Sequence, residues 1–171
     1  MKKTVPVALL AFIAALFIPG CSQKPPTPVK AVSSAEVKII LSKVGANPSM
    51  GYLTSRRSYS RVDHQWLDGA LASKVVVIKP QAAPAIDGEE AFKCTEWVKV
   101  SVALGIMDKP GSAIGEFHYY REIDGKGHAV IAAIVPGDGY NGSGVSFWDP
   151  QLRRSVQLSK KEIESCISWS F

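Results

Sequence analysis

Residues 128–135 (HAVIAAIV) are apolar at every position after the first, and this stretch constrains the fold more than any other part of the chain. A strand with one face in water alternates apolar and polar residues, whereas a strand covered on both faces is apolar throughout. Branched side chains such as Val and Ile also favour the strand conformation. We therefore expect a strand that is buried on both faces and begins at His128.

The flanking patterns predict an α+β domain in which helices come first and an antiparallel β-meander follows. Capping boxes at Ser33 and Ser159 predict two short helices, of which the second reaches Cys166. Hydrophobic spacing predicts two more helices, over residues 62–71 and from residue 89 or 93 to residue 104. Strands are predicted at 74–79, 117–122, 128–135, 144–148, 155–158 and 167–171, and an irregular segment at 45–61.

The N-terminus has the pattern of a bacterial lipoprotein signal. Lys2 and Lys3 precede an apolar run over residues 5–17, and Pro19-Gly20 leads to Cys21. The run is shorter than the roughly 20 residues that a membrane-spanning helix needs. A cysteine at the end of such a segment resembles a lipobox. We expect residues 1–20 to be removed and Cys21 to carry lipid; the alternative is a secreted protein with a free Cys21.

The segment after the signal predicts how the domain is held in the cell envelope. Ser22, rather than an aspartate, follows the lipid-bearing cysteine, which predicts sorting to the outer membrane on its periplasmic side. Residues 21–32 include three prolines in four positions, Pro25-Pro26-Thr27-Pro28, and little to bury. This composition favours an extended tether. The folded domain is then expected over residues 33–171, a single-domain length.

Composition argues against several classes of protein. Without Lys2 and Lys3, 18 of the 20 basic side chains remain against 15 acidic ones, and no basic block is present. Nucleic acid is therefore a poor candidate for a partner. No set of residues has the spacing of a metal site, and the glycines at 137–144 are not followed by the Lys-Ser/Thr of a phosphate loop. We expect neither a metal nor a cofactor.

Three residues fall where the predicted elements would place reactive groups. Cys94 lies near the start of the third helix, where free N–H groups and the helix dipole favour a thiolate. His128 begins the buried strand, and Asp149 ends the next one. Because the start of one antiparallel strand lies opposite the end of its neighbour, His128 and Asp149 should be close together. A thiol, an imidazole and a carboxylate are the nucleophile, base and orienting group of covalent catalysis.

The segments that carry these residues resemble a known group. Residues 127–137 around His128 and residues 147–151 around Asp149 resemble the His and Asp blocks of papain-like and transglutaminase-like cysteine peptidases. Residues 92–97 resemble the cysteine block of phage and lectin-associated members of that clan.

The resemblance implies a papain-like core, in which a central helix carrying Cys94 packs on the meander. It also implies that Cys94 attacks an amide carbonyl, that His128 transfers the proton and that Asp149 orients His128. The chain would then be a lipid-anchored hydrolase of a peptide or peptidoglycan amide.

The sequence leaves a second interpretation of the cysteines open. Exported proteins occupy an oxidising space in which two remaining cysteines pair readily. A disulfide between Cys94 and Cys166 would tie the central helix to the C-terminal helix. In that case the chain would be a non-catalytic binding or assembly lipoprotein of the same fold, with His128 as an ordinary strand-edge histidine.

Overall fold

The computed structural model describes residues 31–54, 56, 58–77, 94–137 and 142–171. The predicted signal at 1–20, Cys21 and the tether up to residue 30 lie outside the described residues. The helices are α1 (Ser34–Lys43), a 3₁₀ turn (Pro48–Met50), a π-helical turn (Trp66–Leu71) that continues into α2 (Ala72–Val77), α3 (Cys94–Asp108) and α4 (Lys160–Glu164). The strands are β1 (Ala31–Ser33), β2 (Gly51–Tyr52), β3 (Ser58–Ser60), β4 (Ile114–Tyr120), β5 (Gly127–Ile134), β6 (Val145–Asp149), β7 (Arg154–Val156) and β8 (Ser168–Ser170).

Six of these strands form one sheet in the order β2-β8-β4-β5-β6-β7. The run from β4 to β7 is an antiparallel meander, as the sequence predicts. The last strand, β8, returns to pair with β4, and β2 pairs with β8 in parallel, so the sheet is mixed. Strands β1 and β3 form a separate two-stranded sheet. The domain is therefore α+β.

Strand β5 is covered on both faces. Ala129, Ile131 and Ala133 belong to an apolar cluster with residues of the π-helical turn, α2 and α3. The alternate residues Val130, Ala132 and Ile134 belong to a second cluster, with residues of α1, α4 and β8. All six side chains are almost completely buried, which confirms the expectation from the apolar run.

Both predicted capping boxes are present. At α1, Glu36 N donates to Ser33 Oγ (3.2 Å) and Ser33 N donates to Glu36 Oε2 (2.8 Å). At α4, Glu162 N donates to Ser159 Oγ (3.1 Å) and Ser159 N donates to Glu162 Oε2 (2.9 Å). These motifs satisfy N–H groups that the first helical turn leaves without partners.

The predicted strand at 74–79 is wrong where the structure describes it, because residues 72–77 are helix α2. The branched residues there favour a strand, but α2 continues directly from the π-helical turn and buries Val75 in the cluster beneath α3. Tertiary packing of this kind overrides local strand preference.

Other boundaries also differ from the prediction, and α4 ends at Glu164 rather than reaching Cys166. The domain begins by Ala31 rather than Ser33, because Val32 in β1 is fully buried against β3. Helix α3 continues past Gly105 to Asp108, and Gly105 is buried against Ile114. The segment predicted to be irregular contains β2, β3 and the 3₁₀ turn.

We expect Gly115→Ala to lower the free energy of unfolding by about 1–3 kcal/mol, because overpacking displaces neighbouring atoms. A Cβ on Gly115 would lie 1.9 Å from the carbonyl oxygen of Ser170, a backbone atom that side-chain rotation cannot move. Gly127→Ala is the matched control, since its Cβ would meet nothing closer than Ile167 Cδ1 at 4.0 Å. Urea unfolding of both variants checks this, and equal losses would contradict the proposed contact.

Candidate functional site

Strand pairing brings His128 and Asp149 together. Ile131 of β5 stands opposite Trp148 of β6, so His128 and Asp149 are diagonal neighbours on one face of the sheet. His128 Nε2 lies 3.1 Å from Asp149 Oδ2. The two side chains are 14% and 7% exposed, so the hydrogen bond is largely shielded from water. The predicted proximity of these two residues is confirmed.

Asp149 is fixed by the turn that follows it. Its Oδ1 accepts hydrogen bonds from the backbone N–H groups of Gln151 (2.8 Å) and Leu152 (3.1 Å). Burial alone would raise the pKa of Asp149, but the hydrogen bond with His128 and these two N–H groups outweigh it and lower the pKa. Asp149 is therefore a carboxylate at neutral pH.

The charge of Asp149 determines which nitrogen of neutral His128 carries the proton. A carboxylate only accepts hydrogen bonds, so Nε2 must be the donor, and Nδ1 keeps its lone pair. In the part of the chain that the structure describes, no hydrogen bond is made to His128 Nδ1. The pair therefore presents one basic nitrogen and anchors the other.

Tyr119 closes one side of the histidine. It stands opposite His128 in the β4–β5 ladder, with the two rings edge to face and their centroids 5.8 Å apart. Burial raises the pKa of Tyr119 above its usual value, and the negative charges of Glu162 and Asp149 add to the effect. Tyr119 therefore remains a neutral phenol, and its ring limits the positions that the imidazole can adopt.

The sequence did not single out Tyr119. The alternation of residues along 117–122 predicted a half-exposed strand, but the register that sets Tyr119 opposite His128 depends on the hairpin between β4 and β5. The turn at Asp124-Gly125 is a signal for that hairpin, but counting outward from it sets Arg121, not Tyr119, opposite His128, so the sequence signal does not give the observed register.

Cys94 is the first described residue of α3, and its thiol is free. Gly105, near the other end of α3, lies against Ile114 at the start of β4, so the helix runs antiparallel to β4. Cys94 therefore lies toward the end of β4 and the start of β5, where His128 is.

Cys94 and the His128–Asp149 pair have different packing partners. Cys94 is half-buried against the cluster that contains Ala129 and Trp148, on the α3 face of the sheet. His128 is the residue before Ala129, and Asp149 is the residue after Trp148. Because side chains alternate along a strand, His128 and Asp149 both point to the opposite face of the sheet. His128 and Asp149 are thus hydrogen-bonded to each other. Cys94 lies at the same end of the sheet, but the described contacts do not include one between its thiol and the imidazole.

The alternative disulfide between Cys94 and Cys166 is not formed, since both thiols are free. Cys166 is buried in the cluster on the face opposite α3, so the sheet lies between the two packing environments. Burial raises the pKa of the Cys166 thiol to about 11. Cys166 therefore remains an inert, protonated thiol at neutral pH.

The described residues show neither a metal centre nor a membrane span. Within them, no three or more His, Cys, Asp and Glu side chains are grouped to hold a metal ion. No helix in the described ranges combines the length and apolarity that crossing a bilayer requires.

Comparison with known proteins gives a likeness of fold. No family model matches the chain, and no curated protein matches it. Among solved structures, the chain is similar to the Polyporus squamosus lectin bound to a human-type influenza-binding epitope, Neu5Acα2-6Galβ1-4GlcNAc. The TM-score is 0.54 at 17% identity, and the match covers 82% of this chain and 49% of the lectin chain. The chain thus spans about half the length of that lectin, and the papain-like core stays a prediction.

The lowered pKa of Asp149 predicts how stability depends on pH. A carboxyl group whose pKa is lower in the folded state than in the unfolded state stabilises the fold above the unfolded pKa of about 3.9, and this stabilisation is lost as pH falls through the folded pKa. We expect Asp149→Asn, which keeps an oxygen for the two backbone N–H groups, to be less stable than the parent at pH 7. The difference should shrink below about pH 4, as measured by urea unfolding. A difference that does not change with pH would show that the charge contributes nothing.

Proposed function

We propose that the chain is a lipid-anchored cysteine hydrolase of the bacterial cell envelope that cleaves a peptide or peptidoglycan amide. The observation that carries the proposal is the shielded hydrogen bond between His128 Nε2 and Asp149 Oδ2, which leaves Nδ1 as a base. A free, partly exposed thiol at Cys94 supports it, because it begins a helix at the same end of the sheet. The resemblance of three sequence segments to cysteine peptidases points to the same chemistry.

The reaction has two stages. His128 Nδ1 takes the proton of the Cys94 thiol, and the thiolate attacks the amide carbonyl carbon. The same nitrogen returns the proton to the leaving amine as the C–N bond breaks, which leaves a thioester on Cys94. His128 then takes a proton from water, the hydroxide attacks the thioester, and the acid departs as Cys94 regains its proton. This sequence requires the thiol to reach Nδ1 at the edge of the sheet where β5 begins.

Asp149 and Tyr119 act on the histidine rather than on the substrate. The Asp149 carboxylate holds the Nε2–H tautomer and stabilises the imidazolium that forms during both stages. The Tyr119 ring restricts movement of the imidazole on the side of β4. Fixing the imidazole in this way lowers the entropic cost of aligning it with the thiol.

We expect Cys94→Ala and His128→Ala each to reduce turnover by about 10³-fold or more, and Asp149→Asn by less. Purified peptidoglycan and short peptides serve as substrates, and new amino groups and product masses are measured. Cys166→Ala is the matched control, because it removes a buried thiol that cannot react, and its activity should equal that of the parent. Full activity in Cys94→Ala would contradict the proposal, and an inactive parent would favour the non-catalytic alternative.

The proposed location depends on Cys21 and is tested separately. We expect Cys21→Ala to abolish incorporation of radiolabelled palmitate and to move the protein out of the membrane fraction, because the thiol is the site of acylation. Cell fractionation with Cys166→Ala as the control measures this. Retention of the Cys21→Ala protein in the outer membrane would show that another part of the chain binds there.

A further inference from the structure

A cavity of about 200 Å³ lies between the end of α3 and the start of β4. Its lining residues are Thr54, Arg56, Tyr59, Ile106, Ser112 and Ile114. Ile114 stands opposite Ala133, five residues along β5 from His128, which corresponds to about 17 Å. The cavity is therefore separate from the His128–Asp149 pair. Its volume is below that of a drug-sized pocket and suits a small ligand.

One of the residues that line the cavity, Ser112, has a hydroxyl group without a hydrogen-bond partner. Ser112 is 3% exposed, and its Oγ makes no hydrogen bond to any part of the protein. Buried hydroxyl groups are almost always hydrogen-bonded, because burial removes their bonds to water. An unpartnered hydroxyl beside a cavity is an observation that a ligand would explain.

Arg56 is exposed, and its side chain passes close to Gly111, the residue before Ser112. The Ser34 hydroxyl donates a hydrogen bond to the backbone carbonyl of Arg56 (2.5 Å), which ties this residue to the start of α1. Its Nη1 atom lies 3.1 Å from the place where a Cβ on Gly111 would be, immediately before Ser112. Among the described residues, no carboxylate forms an ion pair with Arg56. A guanidinium group has the shape to bind a carboxylate with two hydrogen bonds.

The remaining hydroxyl groups of the lining are already paired with each other. Tyr59 donates its proton to the carbonyl oxygen of Phe171 (3.3 Å). Thr54 Oγ1 lies 3.1 Å from the Tyr59 oxygen and must therefore be the donor in that bond. Among the described residues, Ser112 Oγ has no hydrogen-bond partner and Arg56 has no ion-pair partner, and both groups suit an anion. The other lining side chains, Ile106 and Ile114, are apolar.

We propose that this cavity binds a small carboxylate that carries a short apolar group. The carboxylate accepts hydrogen bonds from Arg56 and the Ser112 hydroxyl, and the apolar group packs against Ile106 and Ile114. A free small acid and the C-terminal carboxylate of a peptide share this chemistry. The proposal does not depend on the hydrolase activity.

The test uses isovalerate as the free acid, N-acetylglycyl-valine as the peptide acid and isovaleramide as the neutral analogue. The unfolding midpoint of the full chain is measured by calorimetry against the concentration of each probe, at constant ionic strength. We expect at least one acid to raise the midpoint saturably, and the amide to require at least about tenfold higher concentration for the same rise. A response to isovalerate alone identifies a free-acid site, and a response to N-acetylglycyl-valine identifies a peptide-end site.

Variants connect this response to the cavity. Arg56→Gln should weaken binding by about tenfold or more, whereas Arg154→Gln, which removes the same charge from an exposed position on β7, should not. Ser112→Ala should leave the midpoint of the ligand-free protein unchanged or higher, because it removes a hydroxyl without a partner, yet it should weaken binding of the acid. Equal responses to acid and amide, no response to either acid, or unchanged binding in Arg56→Gln would overturn the proposal.

Discussion

Strand β5 is buried on both faces, and this burial dictates where the helices and the other strands pack. Successive side chains of a strand point to opposite faces, so Ala129 and Val130 must be buried by different elements. The π-helical turn, α2 and α3 supply one layer, and α1, α4 and β8 supply the other. The only titratable side chain of β5, His128, lies at the start of the strand, and Asp149 ends the neighbouring strand β6.

The His128–Asp149 pair shows how this sheet keeps a charge out of water. Burial disfavours the carboxylate of Asp149, but one imidazole N–H and two backbone N–H groups donate to it. Such bonds are stronger where water is excluded, and they become costly when one partner is missing. The pair is thus rigid because it is buried, and that rigidity is what a general base requires.

Helix α3 connects this end of the sheet with the other, since Cys94 begins it and Ile106 near its end lines the separate cavity.

Features that depend on short stretches of chain could be predicted from the sequence. The capping boxes at Ser33 and Ser159 are contained within four residues each. The meander follows from turn residues between consecutive strands, and it brings His128 to Asp149 because neighbouring strands in a hairpin pair in opposite directions. The prediction of a central helix that carries Cys94 is confirmed for a similar reason, since hydrophobic spacing along one helix is a local pattern. Its predicted start at residue 89 or 93 lies outside the described residues.

The α+β order, the doubly buried strand, the caps and the closeness of His128 to Asp149 all depend on local spacing, and so they could be predicted from the amino-acid sequence. The helical conformation of residues 72–77 depends on tertiary packing, because the contact of Val75 with the cluster under α3 outweighs the preference of branched residues for strands. The tertiary structure also decided that Cys94 and Cys166 pack on opposite faces of the sheet, so that both remain thiols. These outcomes depend on contacts between residues far apart in the chain, and no local pattern contains that information.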